Sequence, residues 1–231
     1  LAYEVLPQYA GRPWKTNKIV VISWNAVLAI VLVAYFHHLY MDFAQPGVLQ
    51  YIGQFASYAS AIPAAVVTIF GALLLVYRSN MRWNLTSILM FLGLVGWAIG
   101  GVGAVIDSTI SVNVRLHNTL WVPAHFHTYM LAGLVFLVVA YFYHVCQQAA
   151  AVPESPGYHK LLAALLTVGA YGFFLMFYLS GAYSIPRRFA HYPVELAHGE
   201  VYSAIAAAFA ALFLVGFLLY PHHTSLRKSL S

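Results

Sequence analysis

The chain alternates long apolar runs with short polar breaks. Six runs, at about 17–37, 50–77, 84–106, 119–146, 160–182 and 200–220, carry very few charges. Each is long enough to cross about 30 Å of hydrocarbon as a helix. Helix is the only state that satisfies the backbone there, because open strands in lipid leave N–H and C=O groups unpaired. Residues 1–12 are shorter and mixed, and read as the tail of a helix running into a turn at Gly11, Arg12 and Pro13. There is no low-complexity segment, internal repeat or stretch suited to an extramembrane domain. Residues 1–231 therefore read as a single all-α transmembrane domain.

Composition agrees with the pattern. The chain is 62% hydrophobic and 7% charged, against about 25% charged in soluble domains. The formal charge of +5 calls for no nucleic acid; an excess of Lys and Arg in cytoplasmic loops accounts for it. Arg12, Lys15, Lys18, Arg78, Arg82, Lys160, Arg227 and Lys228 fall at one set of span ends, and Arg115, Arg187 and Arg188 at the other. The first set is expected to be cytoplasmic, with both termini on that side. One cysteine, Cys146, excludes an internal disulfide or a Cys-based metal cluster within this chain. With neither an initiator Met nor a signal peptide at the start, the chain is expected to be part of something longer or trimmed.

The polar residues within the spans carry the candidate chemistry. Imidazole inside a membrane helix marks a functional site by default, since an unpartnered polar ring in hydrocarbon is costly. His125 and His127 stand two positions apart in the fourth span. On a helix that is about 200° of rotation, so they leave nearly opposite faces and serve different groups. His37 and His38 end the first span; they suit interfacial caps or, where the helix unwinds, two ligands of one metal. Arg187 and Arg188 occupy a loop on the side disfavoured for positive charge, and paired guanidiniums suit carboxylates. His144, His159, His191 and His198, near span ends, are expected to be structural, and His222 and His223 a solvated tail. Glycines 93, 96, 100, 101 and 103 read as close helix contacts.

Together, His37-His38, the run from His117 through Asn118, Thr119, Leu120, Trp121, Val122, Pro123, Ala124, His125 and Phe126 to His127, and Ile185-Pro186-Arg187-Arg188 resemble subunit I of the haem–copper oxygen reductases. The resemblance covers essentially the whole chain. It implies the last six of twelve core helices, with Asn118 to Pro123 nearer the B-type branch than the A-type. His37 and His38 then match two ligands of the active-site copper, and His125 the axial ligand of a high-spin haem. His127 matches a ligand of a low-spin haem, with Phe126 packing between the two haems. Arg187 and Arg188 match the pair that holds haem propionates. His117 matches a residue near the propionates and a non-redox metal site. The A-type pattern has Asp after that histidine; Asn118 is a poorer ligand for a hard dication, so no magnesium is expected.

The resemblance thus implies two haems and copper, a terminal oxidase that reduces oxygen to water and translocates protons, and a bacterial or archaeal cytoplasmic membrane. The implied partners are the N-terminal half of subunit I, subunit II and other oxidase subunits, membrane lipid, and cytochrome c or a quinol. The remaining copper and low-spin haem ligands would come from the N-terminal half. In A-type relatives a Lys follows the Pro of the second span by one turn; Val67 stands there, leaving Ser57, Tyr58, Ser60 and Thr68 as a hydroxyl path or as packing. Two rivals stand: a nitric oxide reductase, with iron for copper and carboxylates nearby, and a transporter without redox cofactors. Glu4, Asp42, Asp107, Glu154, Glu195 and Glu200 all lie at or near span ends, which leaves no mid-membrane carboxylate and favours copper.

Overall fold

The computed structural model describes residues 1–15, 17–40, 47–150 and 155–225. Asp42, Glu154, Arg227 and Lys228 lie outside the described residues. In order, α1 (Ala2–Ala10) ends at Gly11, whose left-handed φ of 65° turns the chain. Next, α2 (Lys18–Ala34) tightens into a 3-10 turn, Tyr35–Leu39. The second span is α3 (Gly47–Ala65), a π-helical stretch Val66–Leu73 and a last turn, α4 (Leu74–Val76). Then come α5 (Leu85–Ser108) and the short α6 (Ile110–Leu116). The fourth span is α7 (Trp121–His127), a second π stretch Thr128–Val135, and α8 (Phe136–Ala150). Finally α9 (Pro156–Ala182) and α10 (His198–Ser225) close the chain.

Among the described residues, six helices are long and apolar enough to cross a membrane, and they coincide with the six runs to within a few residues. The fifth starts earlier than the pattern, because Pro156 opens it in the first turn, where its missing N–H costs nothing. The last runs on through Ser225, so the backbone at His222 and His223 is helical.

Polar groups at the helix ends decide where the elements stop. Asn84 and Ser87 form a reciprocal cap on α5: the Ser87 N–H donates to Asn84 Oδ1 at 3.1 Å and the Asn84 N–H to Ser87 Oγ at 2.9 Å. At the end of the second span, the Arg12 guanidinium donates to the Leu74 and Tyr77 carbonyls at 2.7 Å and, through Nε, to Leu75 at 2.9 Å. Trp14 Nε1–H donates to the Gly71 carbonyl at 2.9 Å, and the Tyr3 hydroxyl donates to Val67. The N-terminal segment thus caps carbonyls of the π stretch and of the helix end that follows it.

Antiparallel connection puts His37, Asp107, His117 and Arg187 at one end of the bundle and Arg12, Arg82 and His159 at the other. These are called the histidine end and the Arg12 end. The apolar core lies toward the Arg12 end, around Leu6, Leu89, Met90, Phe136, Leu162 and Leu166. Within it α5 packs on α8 and the preceding π stretch. Gly96 permits that approach, since a Cβ there would lie 2.7 Å from the Ala132 Cβ. Gly101 differs from its neighbours, because its nearest contact would be an ordinary 3.7 Å. The outermost α10 packs on α9 and is only 11% buried over its apolar window. Its remaining face is apolar and suits lipid or further helices.

Candidate metal centre and the polar cavity beside it

Three of the histidines singled out in the first and fourth spans converge. Ligand nitrogens of His37, His38 and His125 all lie within 4.8 Å of one another. His37 and His38 come from the 3-10 turn that ends the first span, and their ring centres are 4.1 Å apart, tilted by 42°. His125 enters about one turn into α7, nearer its start than the apolar run suggested, and faces His38 at 6.2 Å between ring centres.

The hydrogen bonds show which nitrogens are open. His37 Nδ1–H donates to the Ala34 carbonyl at 2.7 Å and lies 3.0 Å from Ser57 Oγ. That fixes the proton on Nδ1 and leaves Nε2 with its lone pair, buried and without a partner. His125 is also buried, and its Nδ1 lacks a partner. Gly103 makes room for that ring, since a Cβ there would come within 3.1 Å of Nδ1. Tyr129 abuts His125 edge-on at 5.2 Å.

Three imidazoles with ligand nitrogens this close, His37 and His125 buried and His38 exposed, fit a transition metal of borderline softness. As folded, the cluster is spaced for one ion. Two ions in line would hold the outer nitrogens roughly 7–8 Å apart, so an iron on His125 and a copper on the pair require a wider separation.

His127 leaves the same helix on another side. Its Nδ1–H donates to the Pro123 carbonyl at 2.6 Å, and its ring meets Phe173 and Phe177 of α9 edge-on at 5.2 and 6.3 Å. Phe126, between the two histidines, is exposed. His125 therefore belongs to the three-histidine cluster and His127 to a separate aromatic wall, the split that their spacing predicts.

Beside the cluster lies a polar cavity of about 160 Å³, lined by His37, His38, Asp107, Asn113, His117, Val122 and Arg187. Here the structure revises the charge reading. Asp107 does end a span, but it is 1% exposed and shares this cavity with two of the clustered histidines. Position along the helix hid this because the cluster also lies at the span ends. Asn113, on α6, donates its amide to the Asp107 carbonyl oxygen at 2.6 Å, and its own Oδ1 is buried without a partner. Nearby, burial pushes the Tyr40 phenol up to about 12, aided by Tyr58 and Asp107.

The two arginines separate. Arg187 lines the cavity, whereas Arg188, in left-handed backbone at φ 70°, is exposed. His117 sits in the turn between α6 and α7 and faces the cavity. Among the hydroxyls of the second span, Ser57 alone is bonded to a clustered histidine; Tyr58 pairs with Thr109 at 2.6 Å and Ser60 bonds back to Ser57.

The family described as cytochrome c and quinol oxidase polypeptide I matches residues 1–202. A probable cytochrome c oxidase subunit 1 of Bradyrhizobium diazoefficiens is 27% identical over 214 residues, covering 92% of this chain and 31% of its own length. Cytochrome c oxidase subunit 1 of Thermus thermophilus is 23% identical, covering 95% of this chain and 42% of its own. Ubiquinol oxidase subunit 1 of Acetobacter aceti is 24% identical, over 82% and 28%. The chain thus spans well under half the length of these relatives. The cryo-EM structure of a haem–copper terminal oxidase dimer shares the fold, with a TM-score of 0.70 at 20% identity, over 87% of this chain and 40% of that one. With the family match running from the first residue to within α10, the chain belongs to the haem–copper oxidase subunit I family.

Proposed function

We propose that this chain is the C-terminal half of the catalytic subunit of a terminal respiratory oxidase, which reduces oxygen to water and couples this to proton translocation. The observation that carries the reading is that His37, His38 and His125 share one cluster, which is spaced for a single ion as folded and must widen to take iron and copper, while His127 leaves the same helix toward α9. His37 and His38 hold copper, His125 the iron of a high-spin haem and His127 that of a low-spin haem. Arg187 and Arg188 hold propionates, with His117 beside them. When bound, these groups supply the electron transfer and oxygen binding that amino-acid side chains lack.

The chain's own residues set the conditions. The Ala34 carbonyl keeps the His37 proton on Nδ1, so Nε2 presents a lone pair without reorganising. Ser57 places a hydroxyl at the same nitrogen and so gives the second span a polar contact with the site. Tyr129 and Phe136 close the apolar side of the fourth span, and the cavity toward Asp107 is roomy enough for several waters. That cavity is the natural outlet for water and protons.

The partners are a further set of helices that completes both sites, subunit II and other oxidase subunits, and cytochrome c or a quinol as donor. On this reading the histidine end faces outward from a bacterial or archaeal cytoplasmic membrane, and both termini face the cytoplasm.

A second reading rests on Asp107. A nitric oxide reductase would use iron in place of copper with a carboxylate nearby, and Asp107 is a buried carboxylate in the same cavity as His37 and His38. Metal analysis and a pyridine haemochrome spectrum of the intact complex decide between them. The oxidase is expected to contain one copper at this site beside two haems; a third, non-haem iron and no copper there would establish the second reading. A complex with no haem would end both.

A further inference from the structure

His37 has two acceptors within reach of one nitrogen. The Ala34 carbonyl takes its Nδ1–H at 2.7 Å, and Ser57 Oγ lies 3.0 Å from the same atom. They belong to different elements: Ala34 ends α2, three residues before His37, while Ser57 stands on α3 of the second span. Both Ser57 and His37 are buried, so bulk water does not replace either bond if it breaks.

Ser57 is arranged to accept. A serine hydroxyl carries one proton and two lone pairs. Its proton has two outlets, the Gly53 carbonyl at 2.8 Å, one turn back on its own helix, and the Ala34 carbonyl at 2.9 Å. With the proton on Gly53, a bond internal to α3, the lone pairs stay available to His37 whatever the end of the first span does.

A second acceptor matters because the cluster has to change shape. As folded, His37, His38 and His125 are spaced for one ion, and iron and copper together require them to separate. His37 rides on a 3-10 turn, whose hydrogen bonds are poorer than those of an α-helix and yield first. A swing of the ring away from Ala34 strips Nδ1–H of its backbone partner. A proton that then moved to Nε2 would remove the lone pair offered to the metal.

We propose that Ser57 is the positioning residue of His37: it takes over the Nδ1–H from Ala34 as the cluster widens, and so keeps the Nε2 lone pair on the metal. This rests on the copper reading given above. Ser57 itself touches no metal; it acts through His37.

The test is copper binding by the intact complex carrying S57A, S57T or S57V. Each is dialysed against rising concentrations of a copper chelator, with copper read by metal analysis and haem by the visible spectrum. Thr and Val add the same bulk, so the difference between them reads the hydroxyl, and S57A removes the hydroxyl without adding bulk. S57A and S57V are expected to weaken copper retention about tenfold or more, the scale on which a site loses metal when a ligand's outer hydrogen bond is removed, with both haems retained. S57T is expected to hold copper as wild type does. If S57A holds copper as tightly as wild type, Ala34 suffices and the inference fails with the copper reading intact. S57T as weak as S57V overturns it as well, since bulk and not the hydroxyl would then govern. A wild-type complex without copper ends the copper reading itself. Should the β-branched variants not assemble, S57A against wild type decides.

Discussion

Histidine, tyrosine and arginine occur at both ends of the bundle, yet they do different things there. At the Arg12 end they are bonded to protein. Tyr9 Oη and His144 Nδ1 are 2.9 Å apart, the Tyr143 hydroxyl bonds His159 Nε2, and Arg12 covers the carbonyls at the end of the second span. Arg82 lies over the Tyr9 ring at 5.1 Å. At the histidine end, buried polar atoms are left over: His37 Nε2, His125 Nδ1, Asn113 Oδ1, the Tyr40 hydroxyl and Trp121 Nε1 have no hydrogen-bond partner among the described residues. Thr86, near the Arg12 end, and Thr167 each leave one hydroxyl without a hydrogen-bond partner among the described residues. A buried polar group without a partner is costly. Of these residues, His37 and Asn113 line the polar cavity, and His37 and His125 belong to the three-histidine cluster. The difference lies in satisfaction, since the residue types are the same.

The sharpest way to break this contrast is to remove one residue at each end. His37→Ala or His38→Ala is expected to abolish oxygen reduction with loss of copper and retention of both haem signals, read by metal analysis and the visible spectrum. His159→Phe at the other end is expected to retain turnover. Normal copper and turnover in both cluster variants would place the metal elsewhere.

His127→Ala should come next in size. It is expected to remove the low-spin spectrum while leaving the high-spin haem at least partly bound, because His125 and His127 face different surroundings. Loss of the high-spin signal alone would reverse the two assignments.

Arg187→Gln and Arg188→Gln probe the edge of the site. Arg187 is expected to lower a haem potential by tens of millivolts, the scale of a severalfold change for a one-electron couple. Arg188, exposed and not on the cavity lining, is expected to shift it less. Equal shifts would mean that both guanidiniums reach the propionates once the haems are in place.

The smallest effect belongs to the bonded end. His159→Phe or Tyr143→Phe removes one partner of a buried pair and is expected to lower thermal stability by about 1–3 kcal/mol, or by about 0.6 kcal/mol if membrane helices re-pair as they commonly do. Unchanged turnover with a lowered melting temperature would confirm a structural role there; lost turnover with unchanged stability would assign His159 to the chemistry.

Much of this protein is determined by local sequence. Six runs with very few charges, each long enough to cross a bilayer core, dictate six helices, because lipid offers backbone groups no other partner. The two-residue spacing of His125 and His127 dictates that they point apart. What the sequence left open depends on contacts between distant segments. The spacing reads every span as a uniform α-helix, but Val66–Leu73 and Thr128–Val135 are π-helical, and the extra residue per turn shifts which side chains face inward. Asp107 reads as a span-end charge until α5, α6 and the His37 turn close a cavity around it. Arg187 and Arg188 read as a pair until Asn118, 69 residues before Arg187 in the chain, selects one of them. Periodicity reports which face of a helix is apolar; only packing decides which polar atoms find partners and which are left to hold something else.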